Sequence, residues 1–159
     1  MINKPFLLEC ERYIKSGGIP SGAIFTPVDI PAHEAISPSE AEAYLNANRD
    51  VFFVQQLLDL IDKSGKKDSE VYKKAGIDRR LFSKIRSNLE YTPAKKTVIA
   101  LCLALELPRA DADLLMSSAG YSLSRADDFD LAIAFCIEKK EYDFLNINEV
   151  LDHFGFEVF

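Results

Sequence analysis

The residues whose types and spacing suit a chemical task lie between Lys63 and Lys96. Gly76-Ile77-Asp78 is followed by Arg79-Arg80-Leu81-Phe82-Ser83-Lys84-Ile85-Arg86. Phe82 and Ile85 are three apart, so in a helix they share the inner face. Arg79, Arg80, Ser83, Lys84 and Arg86 are left for the remaining faces. Guanidinium forks match phosphate and guanine edges, and an ammonium supplies a point charge. The chemistry on offer is recognition of a polyanion: Arg79, Arg80, Ser83 and Lys84 toward base edges or nearby phosphates, Lys66, Lys67, Lys95 and Lys96 toward backbone positioning, with Arg86 a further member of the DNA-binding set. The same residues also fit an ordinary solvated face on short helices.

Other groups offer less. His33 and His153 have no sequence-near partner for a metal or a catalytic pair. Asp127, Asp128, Asp130 and Glu138 resemble a calcium loop only loosely, because Phe129 takes a ligand position and Ala132 the required Gly. They fit the acidic start of a helix better. Cys10, Cys102 and Cys136 are odd in number and far apart, without a CxxC pair, so they read as buried or half-buried thiols. No P-loop, GxSxG, HExxH or dinucleotide-binding Gly-rich turn is present. The expectation is a protein that is not an enzyme and needs no cofactor or metal.

The elements that must hold these side chains are helices, and the fold class expected is all-α. Phe6, Leu7, Cys10, Tyr13 and Ile14 recur at helical spacing, which predicts a short amphipathic helix. Its apolar face must pack on the main body, on a second copy or on a partner. Residues 17–38 hold seven of the fourteen Gly and Pro residues and read as a linker or extended arm. Ser37-Pro38-Ser39-Glu40 predicts a capping box with Pro in the first helical position. Asp50 precedes an apolar face from Val51 to Ile61 that ends near Lys63 and Gly65. Short helices are expected over about 68–75 and 79–87, then a largely buried one opened by Pro93 and closed by Pro108. Asp111 and Asp113 start the next, which runs to Gly120. Ser124 with Asp127 suggests a further capping box, and Asn146-Ile147-Asn148-Glu149 the start of a last helix. The single strand candidate is 142–145. No run approaches the roughly 18 apolar residues of a membrane span, and the first ten residues lack a signal core, so a cytoplasmic protein is expected.

From Lys63 to Leu107 the order is two short helices joined by a Gly turn, a loop with Pro93, and a long apolar helix. This is the ordering of a helix-turn-helix: Gly76 for the left-handed turn, Ile77 in the angle between helices, Asp78 capping the second helix. On these residues, with Gly65, Asn88, Thr92-Pro93 and Leu103-Ala104-Leu105-Glu106-Leu107, the sequence from about Val51 to Met116 resembles the lambda repressor and Cro (XRE-like) helix-turn-helix family. The wider block through Ala119-Gly120-Tyr121 also looks like uncharacterised bacterial helix-turn-helix modules, some fused to macrodomains. The resemblance implies a DNA-binding domain at 37–120, with an N-terminal helix and arm at 1–36 and a helical extension at 121–159. Two positions depart from the family pattern. Tyr72 stands where a small Ala is usual, and Asp68 where a Gln often reaches phosphate or base.

Charge is distributed unevenly. The chain has 19 Lys and Arg against 25 Asp and Glu, a net −6, which by itself argues against coating nucleic acid. Residues 63–96, however, carry eleven cations against four anions, a net of +7. Residues 1–62 carry four against nine, and 97–159 four against twelve. Double-stranded DNA is therefore the partner expected of the middle segment, read by a transcriptional regulator acting as a homodimer on two half-sites. Phe135, Ile137, Phe154, Phe156 and Phe159 serve either as the dimer surface or as core. The alternative is a protein-interaction module on the same scaffold, using the acidic 97–159 region and the N-terminal arm. No membrane partner is expected, and the sequence displays no convergent polar set for a small molecule.

Overall fold

The computed structural model describes residues 4–18, 35–48 and 51–159. Over these residues the protein is all-α, with helices α1 (Lys4–Lys15), α2 (Pro38–Ala47), α3 (Phe53–Ser64), α4 (Asp68–Lys74), α5 (Arg79–Ser87), α6 (Lys95–Ala104), α7 (Arg109–Ser118), α8 (Asp128–Glu138) and α9 (Phe144–His153). Most of the arm, with His33, and Asp50 lie outside the described residues.

Local signals set most boundaries. Ser37 and Glu40 form the reciprocal box that opens α2. Gly65, at φ 69°, ends α3 in the left-handed region. The Asp78 carboxylate accepts from the Arg80 backbone N–H at 2.8 Å and opens α5. Between α4 and α5 the chain reverses at Gly76, φ 67°, while Ile77 is buried beneath the turn.

Two helices form the centre. α6 buries every residue from Val98 to Ala104, and α8 every residue from Asp130 to Ile137. A helix apolar all round must be enclosed on all sides, and the packing partners supply this. α7 and α4 pack on α6; α1, α9 and α7 pack on α8; α3 packs on α7, and α5 on α3 and α4. One continuous core runs from Cys10 to Leu151.

The amphipathic first helix packs on the main body of its own chain. Cys10 is fully buried, the Phe6 ring meets Phe135 edge-on at 5.0 Å, and the Tyr13 hydroxyl donates to Glu138 at 2.8 Å. α2, by contrast, has no buried residue.

Three expectations need correction. α9 begins at Phe144, capped by Asp143, two residues before Asn146. Its first turn absorbs part of the strand candidate at 142–145, and the Tyr142 hydroxyl instead donates to the Leu107 carbonyl at 2.7 Å. α8 is capped by Asp127, whose carboxylate accepts from the Asp130 N–H at 2.9 Å. Ser124 makes a separate turn, accepting from the Ala126 N–H at 3.1 Å. The Asx signals were present, but neighbouring Asp residues competed for the same role.

The C-terminal aromatics divide. Phe135 and Ile137 are core and unavailable to a second copy. Phe154, Phe156 and Phe159 are half-buried and cluster with Phe129 and Phe144 at ring separations of 5.5–6.4 Å. Among the described residues, no helix is long and apolar enough to cross a membrane.

Candidate functional site

α4 and α5 enclose a groove of about 540 Å³ lined by Lys66, Lys67, Asp68, Ser69, Tyr72, Arg79, Phe82, Ser83 and Arg86. Helical periodicity explains its composition. Ser69 and Tyr72 are three apart on α4, while Arg79, Ser83 and Arg86 follow i, i+4, i+7 on α5, so each set forms one stripe. Arg80 and Lys84 form the adjacent stripe of α5 and face outward beside the groove.

The floor of the groove is rigid. Phe82 and Ile85 are 4% and 1% exposed and tie α5 to the core. Tyr72, at the position where a small residue was expected, lies half-buried against Phe82 with ring centroids 5.5 Å apart. Its ring thereby becomes part of the groove wall. Asp68 is paired: the Arg86 guanidinium donates to its carboxylate. This ion pair cancels the one acidic charge among the lining residues.

The nine basic and hydroxyl residues singled out from sequence fall into four sets. Lys67, Arg79 and Ser83 line the groove exposed, and their own side chains pair with no other side chain among the described residues. Arg80 is also exposed and equally unpaired, while the Lys84 ammonium sits over the Tyr91 ring at 4.6 Å. Lys66 and Arg86 line the groove with their charges engaged. Lys66 donates to the Ala104 carbonyl at 3.2 Å and reaches Glu106 at 3.5 Å, so it caps the negative end of α6. Glu106 also accepts from Lys74 at 2.8 Å, and that ammonium holds its carboxyl below the usual range.

Lys95 and Lys96 are not brought to the groove. Lys95 pairs with Asp130 at 2.5 Å, and Asp130 is only 2% exposed. Lys96 binds Glu157 at 2.9 Å and the Val158 carbonyl at 2.7 Å. Both therefore tie α6 to C-terminal parts of the chain. Sequence spacing could not show this, because the partners are 35 and about 62 residues away.

Sequence reading passed over Ser69 and read Tyr72 only as a misfit. The signal was available: Ser69 and Tyr72 sit one helical turn apart on the same face of α4. Elsewhere, His153 is exposed beside Phe154, and among the described residues no group of three or more His, Cys, Asp and Glu side chains is arranged to hold a metal ion. Compared with models of known families, with proteins of curated function and with solved structures, the chain has no match.

Proposed function

We propose that the protein binds duplex DNA as a helix-turn-helix regulator of transcription, with α5 lying in the major groove. The observation that carries the reading is the state of Arg79, Arg80 and Ser83. They are exposed and unpaired among the described residues, on a helix anchored from behind by buried Phe82 and Ile85. A nine-residue helix is about 13 Å long, and a major groove about 12 Å wide admits one such helix. Arg79 and Arg80, in its first turn, are the residues for base edges, where a bidentate Arg–guanine contact gives about 1–3 kcal/mol of discrimination. Lys67 and Ser83 hold phosphates at the rim. Lys95 and Lys96 have no part in this contact, since their charges are neutralised inside the chain.

The test is fluorescence anisotropy with labelled genomic duplex fragments across a salt series. The expected result is binding that weakens steeply with salt and drops at least tenfold in Arg79→Ala/Arg80→Ala. No binding at low salt, or binding indifferent to that double substitution, would overturn the reading.

A second reading, a protein-interaction module on the same scaffold, is favoured by α2. This helix buries none of its side chains, and its Tyr44 and Leu45 are 68% and 62% exposed. Recovery of one stoichiometric protein partner in the absence of DNA, lost in Tyr44→Ala/Leu45→Ala, would support it.

A further inference from the structure

A second cavity, of about 230 Å³, lies where α1, α7, α8 and the loop before α8 meet. Its walls carry charges of both signs drawn from distant parts of the chain. Arg109 on α7 donates through Nε to both Asp113 oxygens at 3.0 Å and through Nη1 to Glu138 on α8 at 3.2 Å. Tyr13 of α1 adds a hydroxyl donor to the same Glu138 oxygen at 2.8 Å. One guanidinium thus serves two carboxylates, and this wall keeps an anionic excess. The loop supplies the opposite character. Arg125 lines the cavity, is exposed, and has no acceptor among the described side chains. Ser124 beside it uses its oxygen as acceptor for the Ala126 N–H, which leaves its hydroxyl proton to donate.

We infer that this cavity binds a small zwitterion of the amino-acid class, its ammonium at Asp113 and Glu138 and its carboxylate at Arg125 and Ser124. The size supports a small ligand, because sites for drug-sized molecules run about 300–1,000 Å³. A third lining carboxylate, Asp130, is already paired with Lys95 at 2.5 Å and accepts from the Ser124 N–H at 2.7 Å, so it adds no net charge. The charge pattern excludes a simple anion, which would meet the carboxylates of Asp113 and Glu138. It equally disfavours a diamine, whose second ammonium would face Arg125. An α-amino acid places its two charges close together and satisfies both walls with charge-assisted hydrogen bonds. The inference does not depend on DNA binding, since the cavity shares no lining residue with the groove between α4 and α5.

The experiment is isothermal titration calorimetry of the full chain with each of the common amino acids, and separately with putrescine and with acetate. The expected result is saturable binding of at least one amino acid with Kd of about 1 mM or tighter, and none of putrescine or acetate at the same concentrations. Arg125→Ala should weaken that binding at least tenfold, and Asp113→Asn should do the same. Arg125 is an exposed loop residue, so an unchanged thermal midpoint in Arg125→Ala separates a lost contact from a lost fold. Failure of every amino acid to bind would overturn the inference. Binding of putrescine alone, or amino-acid binding indifferent to Arg125→Ala, would overturn it equally.

Discussion

The Arg86 guanidinium on α5 is paired with the Asp68 carboxylate on α4, across the groove that the two helices enclose. A carboxylate that would repel a phosphate is thereby neutralised from the neighbouring helix. Arg86 is held in turn, so its charge is not available to a ligand in the groove.

Asp68→Asn releases Arg86 while keeping a side chain of the same shape. On the DNA-binding reading, affinity for duplex DNA should rise severalfold at low salt. The slope of log K against log salt should steepen by about one, the increment expected for one further phosphate contact. Anisotropy titrations at several salt concentrations check this, and a slope equal to the parent's counts against the assignment.

The Lys95–Asp130 pair predicts an asymmetric stability effect. Asp130 is 2% exposed, while the Lys95 side chain is 36% exposed. Lys95→Ala leaves a buried carboxylate supported only by the Ser124 N–H at 2.7 Å. The expected loss is about 2 kcal/mol, below the 3–5 kcal/mol of a fully buried pair because the ammonium is partly solvated. Asp130→Asn should cost less, since the amide oxygen still accepts from Ser124 and leaves no buried charge. Urea unfolding of both variants measures the difference.

Gly76 holds the turn between α4 and α5 at φ 67°, and a Cβ there would meet nothing within 4 Å. Gly76→Ala should therefore cost only the left-handed backbone penalty, about 1–2 kcal/mol. The fold should survive with a lower thermal midpoint. A larger loss would mean that the turn depends on a close approach as well as on its backbone angle.

Burial pushes the thiols of Cys10, Cys102 and Cys136 from 9.0 to about 12. The folded state therefore favours the protonated thiols, and the unfolded chain releases their protons first. This contribution is fully present below about pH 9 and is lost as pH rises toward about 12, by up to about 1.4 kcal/mol per pH unit for each thiol. Unfolding titrations at about pH 8 and about pH 10 should show the decline, and Cys102→Ala should reduce it. In the native state at about pH 8, a thiol-specific dye should react with none of the three before unfolding.

Much of the architecture was legible because its signals are local. A capping box at Ser37–Glu40, a Gly at the end of α3, and Gly76 with Asp78 between α4 and α5 each act within a few residues. The apolar run of α6 likewise announced a largely buried helix, whereas the run of α8 left Phe135 and Ile137 open between core and surface. Where Asx residues crowd together, at 124–130 and 143–148, the start was misplaced because several side chains offered the same cap.

The amino-acid order by itself determined an all-α chain, the turn before α5, and the concentration of positive charge over residues 63–96. Tertiary structure decided which of those charges remain unpaired. Lys66 and Lys74 meet Glu106, Arg86 meets Asp68, Lys95 meets Asp130 and Lys96 meets Glu157, while Lys67, Arg79 and Arg80 meet no described partner. It also assembled the charged cavity around Arg109 from Tyr13, Asp113 and Glu138, residues up to 125 positions apart. Helix formation depends on neighbours within about one turn, and so it can be read along the chain. Ion pairing depends on distance in space, and only the packing of the helices against one another sets that distance.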